Sequence, residues 1–538
     1  MKKLITFILF SFVLIASNAY SANLYLIANN GTTWTSTPVG FDNVYKVNLS
    51  ASGANGTTAV SLQQWLTDRN ATTAPTYLIN GSAGVTFTTA DQVWIAAGTY
   101  NFTAQWNILS GGGAVVPAAI YGGFVGSENA LTDRVKGANA WEFTNETILN
   151  GSGSANGIIN AGSDRTMIID GLTLSACPNT AGQAIFQRPN MTVQNCKFTS
   201  NACVALRYFI STASKTATTS NCYFANNTNT VSAGVEGGCI MANNGSSGGT
   251  YTITGCVFDS NSSTASGSGA SAAIKAQGAG NVEITKCIFK NNNATAGNSS
   301  AVSLTSATCV LKNSLIYGTS VATNKAAVYV SAGSVINCTV VNNLGGGAYL
   351  SNASTATINL TNNVFWGEDT KSGQISAIAN CLGTITNCAY TSISANYTGT
   401  NTNQVDLTTT STGLFTDPVN NLWTLASGSV LIDMGTTTGA PGTDIVGTTR
   451  PQGGGIDIGA YERTTTTALT GVKQLNWMVR DGNLIINGIE NNQPINIFDI
   501  TGKKVFSENT GTNVISVPLH KGVYIVNANN SNTKIAVN

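Results

Sequence analysis

Apolar residues recur along the middle of the chain at fixed offsets from a cysteine. The segments are "VQNCKFTSN" (193–201), "TSNCYFANN" (219–227), "ITGCVFDSN" (253–261), "ITKCIFKNN" (284–292), "VINCTVVNN" (335–343) and "ITNCAYTSI" (385–393). The phase position is held by Leu172, Cys196, Cys222, Cys256, Cys287, Ser314, Cys338, Asn363 and Cys388, at gaps of 24, 26, 34, 31, 27, 24, 25 and 25 residues. A period in the twenties with longer outliers predicts a solenoid with loop insertions. Two residues on stand Leu174, Phe198, Phe224, Phe258, Phe289, Ile316, Val340, Phe365 and Tyr390. Alternate strand residues share a face, so cysteine and phenylalanine point the same way.

Three residues before the phase position stand Ile169, Val193, Ile253, Ile284, Leu311, Val335, Leu360 and Ile385, with Thr219 the one polar substitute. An odd offset would put these on the opposite face of a straight strand, so the chain must bend between them. The residue just before the phase position is Gly171, Asn195, Asn221, Gly255, Asn313, Asn337, Asn362 or Asn387, with Lys286 the exception. Glycine and asparagine tolerate left-handed backbone angles, so each repeat reads as strand, one-residue corner, strand. Stacked corner asparagines are expected to hydrogen-bond along the stack. A further strand precedes the pair in most coils, as in "QAIFQ" (183–187), "GGCIMA" (237–242), "AAIKA" (272–276), "AVSLT" (301–305), "AAVYV" (326–330) and "GGAYL" (346–350). Short strands turning at corners and stacking about 4.8 Å apart make a parallel β-helix, and this coil length suits the right-handed, three-sheet kind.

The cysteines then read as small, soft, inward residues in a ladder. Parallel neighbours point alike, which is poor geometry for a disulfide. A disulfide framework remains the other reading for an exported chain, with Cys381 and Cys388 as a candidate pair. A metal site lacks converging His or carboxylate partners. Lys plus Arg is 25, Asp plus Glu 24, and charged residues are 9% of the 538. No basic stripe points to nucleic acid.

Lys2 and Lys3, the apolar run Leu4 to Ala16 and the small-x-small triplet Ala19-Tyr20-Ser21 form a signal peptide over 1–21. The apolar run is shorter than the ~20 residues a membrane span needs, so the mature chain is expected to have no transmembrane segment. Residues 22–90 read as an N-terminal capping region, with a short helix or strand in "AVSLQQWLTDRN" (59–70) hiding the open edge of the solenoid. The coils occupy 91–463.

The "FTSN", "FANN", "FDSN" and "FKNN" segments resemble the F-x-x-N repeat of polymorphic outer-membrane proteins, and "GGCI" and "GGAY" resemble its G-G-A-I companion. "DQVWIAAGTY" (91–100) and "IYGGFVGSEN" (120–129) look like early coils of secreted right-handed β-helix proteins, whose superfamily shares the pectate lyase fold. "RPQGGGIDIGAYE" (450–462) resembles the closing segment of surface-anchored β-helix proteins. These motifs are specific for fold and weak for activity. Asp433, Asp444, Asp457 and Glu462 near that ending read as loop hydrogen-bonding groups and no cofactor is expected, with a calcium site as the weaker alternative.

After a threonine-rich linker (464–474), residues 475–538 read as a small β-sandwich. "IFDITGKKV" (497–505) resembles the I-Y-D-L-x-G-K-x-V signature of type IX secretion sorting domains, and "LHKGVYIV" (519–526) resembles their L-x-x-G-x-Y-x-V strand. The resemblance implies that Asp499, Gly502, Lys503, Gly522 and Tyr524 carry the sorting motif. It also implies export by the type IX machinery to the surface or exterior of a Gram-negative bacterium. A tail this short cannot form an autotransporter barrel.

The sole histidine, His520, lies in that tail, which removes His-based triads and metal sites from the coils. A polysaccharide lyase would need a cationic base, with Arg188, Arg207, Lys275 and Lys286 as outward-capable candidates. A glycosidase would need paired carboxylates, but Glu236, Asp259 and Glu283 are scattered. The leading expectation is a non-catalytic adhesin that binds glycan or extracellular matrix. Tyr208, Phe209 and Trp366 would stack on sugars, and the insertions 228–237 and 263–271 would be binding loops. A lyase or glycosidase, and a structural stalk or surface-layer component, are the alternatives. An acidic or aromatic groove on one sheet would favour the enzyme.

Overall fold

The computed structural model describes residues 22–29, 33–49, 60–69, 86–108, 115–161, 164, 166–180, 182–210, 215–230, 237–245, 249–266, 269–321, 325–352, 358–367, 373–409, 412–464, 476–480, 483–487, 493–510, 514–528 and 531–537. The signal peptide, Glu236, most of the linker and the centres of the two loop insertions lie outside these residues. The chain divides into two compact units, Met1–Arg463 and Thr464–Asn538.

The first unit is a parallel β-helix. Three ladders of parallel strands stack coil on coil. One contains Gln183–Gln187, Val204–Ile210, Ile240–Asn244 and Ile274–Gly278. The second contains Met167–Asp170, Met191–Gln194, Thr216–Ser220, Thr250–Thr254 and Asn281–Thr285. The third has twelve strands, from Gly98–Asn101 to Val405–Asp406, and includes Lys197–Thr199, Tyr223–Ala225, Val257–Asp259, Ile288–Lys290 and Leu315–Tyr317. Register is strict: Phe198 pairs with Phe224, Phe224 with Phe258, and Phe258 with Phe289.

The corner between the second and third ladders is left-handed in every coil with the repeat. Asn195, Asn221, Asn313, Asn337, Asn362 and Asn387 have φ between 48° and 56°, Gly171 and Gly255 have 71° and 63°, and Lys286 has 53°. At Gly255 a Cβ would come within 2.6 Å of Asn221 Oδ1, so glycine there also leaves room for the neighbouring corner. A second left-handed corner follows four residues after the phase position, at Ser200, Asn226, Ser260, Asn291 and Asn342. It turns the next residue inward.

Inside, the phenylalanines stack with ring centroids 4.7–4.8 Å apart and planes within 7° of parallel, which is the coil spacing itself. Each is fully buried, worth about 1.5–3 kcal/mol apiece. The phase cysteines Cys196, Cys222, Cys256, Cys287, Cys338 and Cys388 are also fully buried. All eleven cysteines are free and buried, so the disulfide reading, including Cys381 with Cys388, is corrected.

The asparagine ladder lies elsewhere than at the corners. The inward residues Asn201, Asn227, Asn261 and Asn292 form it, the Nδ2 of each of the first three donating at 2.9 Å to the next Oδ1. Each Nδ2 also reaches a carbonyl of the preceding coil, as from Asn261 to Phe224 O at 2.9 Å. The corner side chains instead turn outward and, late in the array, fasten a covering segment. Asn313 Nδ2 reaches Thr443 O, Asn337 Nδ2 reaches Asp457 O and Gly459 O, Asn362 Nδ2 reaches Thr436 O, and Asn387 Nδ2 reaches Met434 O. Only Asn362 to Asn337, at 3.2 Å, links two of these corners directly.

That covering segment packs on the outer face of the third ladder. Leu414, Phe415, Trp423, Leu425, Leu431 and Ile458 bury Leu315, Val341, Val364, Trp366 and Ala389. The closing acids staple it. Asp444 accepts from Val446 N, Thr448 N and Glu462 N, and Asp457 accepts from Asp433 N and Arg463 N. Glu462 accepts from Gln452 N and Asp457 N and pairs with fully buried Arg450 at 3.3 Å.

At the other end, the expected cap is partly the ladder itself. Asn23–Ala28 lies between Asn43–Asn48 and Gln92–Ala96, parallel to both. The helix Leu62–Arg69 adds Leu62, Trp65 and Leu66 to the same core. No helix among the described residues is long and apolar enough to cross a membrane.

The second unit has a three-stranded antiparallel sheet (Asn476–Arg480, Asn483–Asn487, Val514–Pro518) and a four-stranded one (Lys504–Thr510, Gln493–Asp499, Gly522–Ala528, Ser531–Val537). Leu484, Ile486, Ile495, Ile497, Val517 and Val526 are in its core.

Candidate functional site

The outer face of the third ladder changes character along the array. Residues one and three after the phase position point outward. Late in the array they are apolar and covered; earlier they are Lys197 and Thr199, then Tyr223, Val257 and Asp259, Ile288 and Lys290, and Tyr317. The uncovered stretch forms a groove of about 540 Å³. From Lys197 to Tyr317 it crosses four strand spacings, roughly 19 Å.

One wall is the loop around Asn139 to Glu146. The "GGFVGSEN" stretch begins its approach, with Glu128 accepting from Val125 N, Gly126 N and Ser127 N. Arg134 then anchors the loop. Its Nη1 donates to Asp170 Oδ1 at 2.7 Å and Gly122 O at 3.0 Å, and its guanidinium lies 4.8 Å from the Phe143 ring centroid. Gly123 is required there, because a Cβ would meet the Phe143 ring at 2.4 Å.

The loop delivers Trp141 onto Tyr223. The rings are stacked, with centroids 5.7 Å apart and planes 9° from parallel. The Tyr223 hydroxyl donates to Asp259 Oδ2 at 2.9 Å, and Lys290 pairs with the same oxygen at 2.9 Å. Across the groove Lys197 pairs with Glu146 Oε1 at 3.0 Å, which also accepts from Thr173 Oγ1 at 2.7 Å. Val257 and Ile288 supply an apolar floor.

The carboxyls at this site are held low. Burial would raise Glu146, but hydrogen bonds from Thr173 and Lys197 outweigh it. Burial would likewise raise Asp259, but Lys290, Ser260 and Tyr223 outweigh it. Hydrogen bonds from Asn139 lower Glu142. Burial, and then Asp259, push Tyr223 up to about 12. At neutral pH the groove therefore presents ionised carboxylate acceptors and a neutral phenol.

Several expected residues are not at this site. Tyr208 is fully buried and stacks on Tyr251 with centroids 3.9 Å apart, so it offers no face to a sugar. Trp366 is buried under the closing segment. Phe209, next along the strand from Tyr208, points the other way and is half-buried. Lys275 alternates with the inward Ile274 and Ala276 and so faces outward as expected, but it is covered and only 5% exposed. Arg207 lies on the first ladder and Arg188 directly follows its strand Gln183–Gln187, and Glu283 pairs with Lys312 at 2.6 Å on the second. Lys286 forms a corner, and Asp259 is the one expected acid that borders the groove. Trp141, Glu146, Lys197, Tyr223 and Tyr317 were not singled out by the repeat, which is defined by inward positions. Reading the outward positions down the stack would have exposed them.

In the tail, Asp499 Oδ1 accepts from Thr501 N, Thr501 Oγ1 and Lys503 N, and Gly502 has φ 83°. Tyr524 is buried, pairs with Asp499 across the sheet, and donates its hydroxyl to His520 O at 2.9 Å. A Cβ on Gly522 would meet the Tyr524 ring at 3.3 Å.

Together these features define an exported parallel β-helix protein. Residues 480–538 match the family described as "Secretion system C-terminal sorting domain". The protein is a secreted or cell-surface protein of a Gram-negative bacterium and carries a type IX sorting tail. Among solved structures the chain is similar to "Crystal structure of pectate lyase Pel9A", at 13% identity and TM-score 0.36, covering 72% of this chain and 93% of that one. No curated protein matches the chain.

Proposed function

We propose that the protein is a glycan-binding adhesin whose ligand lies along the outer groove of the third ladder. The observation that carries this reading is the Trp141–Tyr223 stack at one end of a groove about 540 Å³ in volume. Such a volume lies within the range of specific ligand sites, and the groove combines an apolar floor with a few fixed polar groups. A length of roughly 19 Å suits a chain better than a single sugar. Aromatic faces supply apolar contact, while the ion-paired carboxylates accept hydrogen bonds from hydroxyls.

An aromatic, acidic groove is the feature that would favour a lyase or glycosidase, so the state of its carboxyls is what weighs for binding. A glycosidase needs one carboxyl kept protonated near neutral pH. Glu142, Glu146 and Asp259 are all shifted the other way. This supports binding over hydrolysis at this groove.

The test is a glycan and matrix array probed with the mature full chain and with Trp141→Ala. Reducing ends and unsaturated products are followed in parallel. Binding that falls with Trp141→Ala and yields no product supports the proposal. Product formation would replace it with the enzymatic reading. Failure to bind any glycan or matrix component would favour the stalk.

A further inference from the structure

Two outward rows run the length of the groove on the third ladder. The first is Lys197, Tyr223, Val257 and Ile288, each in register with the next. The second holds Asp259, Lys290 and Tyr317, also in register. In the middle of the groove, Val257 and Ile288 therefore lie beside Asp259 and Lys290, two residues apart on the same strands and roughly 6.6 Å away. One strip is apolar and the other polar, and all four residues are half-buried, open to a ligand.

Aromatic rings mark both ends. Trp141 stacks on Tyr223 at one. At the other, Tyr317 meets Trp423 of the covering segment, with centroids 5.9 Å apart. Tyr223 and Tyr317 stand three strand spacings apart, roughly 14 Å. A pyranose ring has the same two sides as this floor, with C–H groups on its faces and hydroxyls around its edge. Laid in the groove, its face covers the apolar strip while its edge reaches the polar one. A linked pyranose unit is about as long as one strand spacing, ~4.8 Å, so successive rings meet successive coils.

The charges select against an anionic chain. Lys197 already holds Glu146 at 3.0 Å, and Lys290 holds Asp259 at 2.9 Å. Glu142 adds a third carboxylate on the rim, where it accepts from Asn139 N and Nδ2. Among the described residues at the groove, three carboxylates thus stand with two lysines. A uronate or sulfate group would have to displace a carboxylate to pair with either ammonium, and would meet like charge as it did so. A hydroxyl donates to the carboxylate and accepts from the ammonium without breaking the pair.

We infer, building on the glycan-binding reading, that the ligand of this groove is an uncharged linear glycan that lies along the stack with one pyranose unit per coil, so that about three to four units fill it.

The experiment is isothermal titration of the mature full chain at low and at high salt. Neutral oligosaccharides of graded length, from β-glucan, xylan and mannan, are compared with oligogalacturonates of the same lengths. Trp141→Ala and Glu142→Lys are measured alongside. At least one neutral series should bind, with affinity that rises with each unit, levels off at about four units and changes little with salt. Oligogalacturonate of equal length should bind about tenfold more weakly or worse at low salt, and the gap should narrow as salt screens the repulsion. Glu142→Lys, which reverses an exposed rim charge, should narrow the same gap. A uronate chain that binds as tightly as the neutral chains, or a single sugar that binds as tightly as a four-unit chain, overturns the inference and leaves the adhesin reading standing. Neutral binding that persists undiminished in Trp141→Ala places the ligand outside the groove and overturns it too. Failure of every glycan to bind removes the adhesin reading, and this inference with it.

Discussion

Asn227 Nδ2 donates to Asn261 Oδ1 at 2.9 Å in the interior of the β-helix, and Asn261 Nδ2 passes the same bond on to Asn292. Asn261 Oδ1 also accepts from Asn227 N at 3.0 Å. One side chain therefore satisfies groups in the coils on both sides of its own. Asn261→Leu would keep the volume and strand all of them. The expected loss is about 2–4 kcal/mol, since buried polar groups left unpaired cost ~1–3 kcal/mol each with partial relaxation. Denaturant melts would measure it. A loss below about 1 kcal/mol would mean that water or a neighbour replaces the amide.

How far the sequence disclosed this structure depends on which way a residue faces. The β-helix is legible because inward positions repeat: cysteine, phenylalanine and the left-handed Asn or Gly corner each follow from period and stereochemistry. The inward asparagines are visible in "FTSN" and "FANN", yet their role depends on the second left-handed corner, which reverses the residue after it. Tyr208 and Phe209 are adjacent on one strand, so alternation alone says that one must be buried. The groove was least legible. It is built from outward residues, which the repeat does not constrain, and from a wall placed by the distant contact of Arg134 with Asp170.

Four thiols of the inward ladder should be inert in the native state. Burial pushes Cys338 and Cys388 up to about 12, and Cys222 and Cys287 are raised in the same direction by loss of solvent. The thiolate is the reactive form, so both access and ionisation oppose labelling. Iodoacetamide at pH 8 should modify these four only after unfolding, with mass spectrometry as the readout. Rapid labelling of the folded chain would contradict the inward placement.

Acid should loosen the groove before neutral conditions do. Glu146 and Asp259 lie below their ordinary values of 4.5 and 3.8. A carboxyl depressed in the folded state binds fewer protons there than in the unfolded chain. Its stabilisation is complete above the ordinary value and is lost as pH falls through the lower folded value. Melting temperature should therefore fall as pH drops below 4.5, and Glu146→Gln should flatten part of that slope. Both groups are partly exposed, so added salt should reduce the effect. A pH dependence unchanged by Glu146→Gln would assign the slope to other acids.

Tyr223 separates packing from hydrogen bonding within the groove. Tyr223→Phe keeps the ring under Trp141 and removes only the bond to Asp259 Oδ2. Lys290 still pairs with that oxygen. Glycan affinity should drop no more than about fivefold, the scale of a single ~1 kcal/mol hydrogen bond. Trp141→Ala should cost more, because it removes an aromatic face and part of the wall. Equal losses from the two variants would mean that the tyrosine hydroxyl, not the stack, holds the ligand.

The tail offers a test of sorting that leaves the coils untouched. Asp499 caps its turn through three hydrogen bonds, and Gly522 leaves space for the Tyr524 ring. Asp499→Ala should lower the melting temperature of this unit, because the turn loses its three hydrogen bonds. Gly522→Val should do more, since a branched side chain must displace a ring that already stands 3.3 Å from the first added carbon. If a folded tail is what the export machinery reads, Gly522→Val should move the protein from the surface or medium to the periplasm, and Asp499→Ala should do so partly. Cell fractionation with an antibody against the coils measures both. Normal export of a tail shown to be unfolded would place the signal in the linear sequence instead.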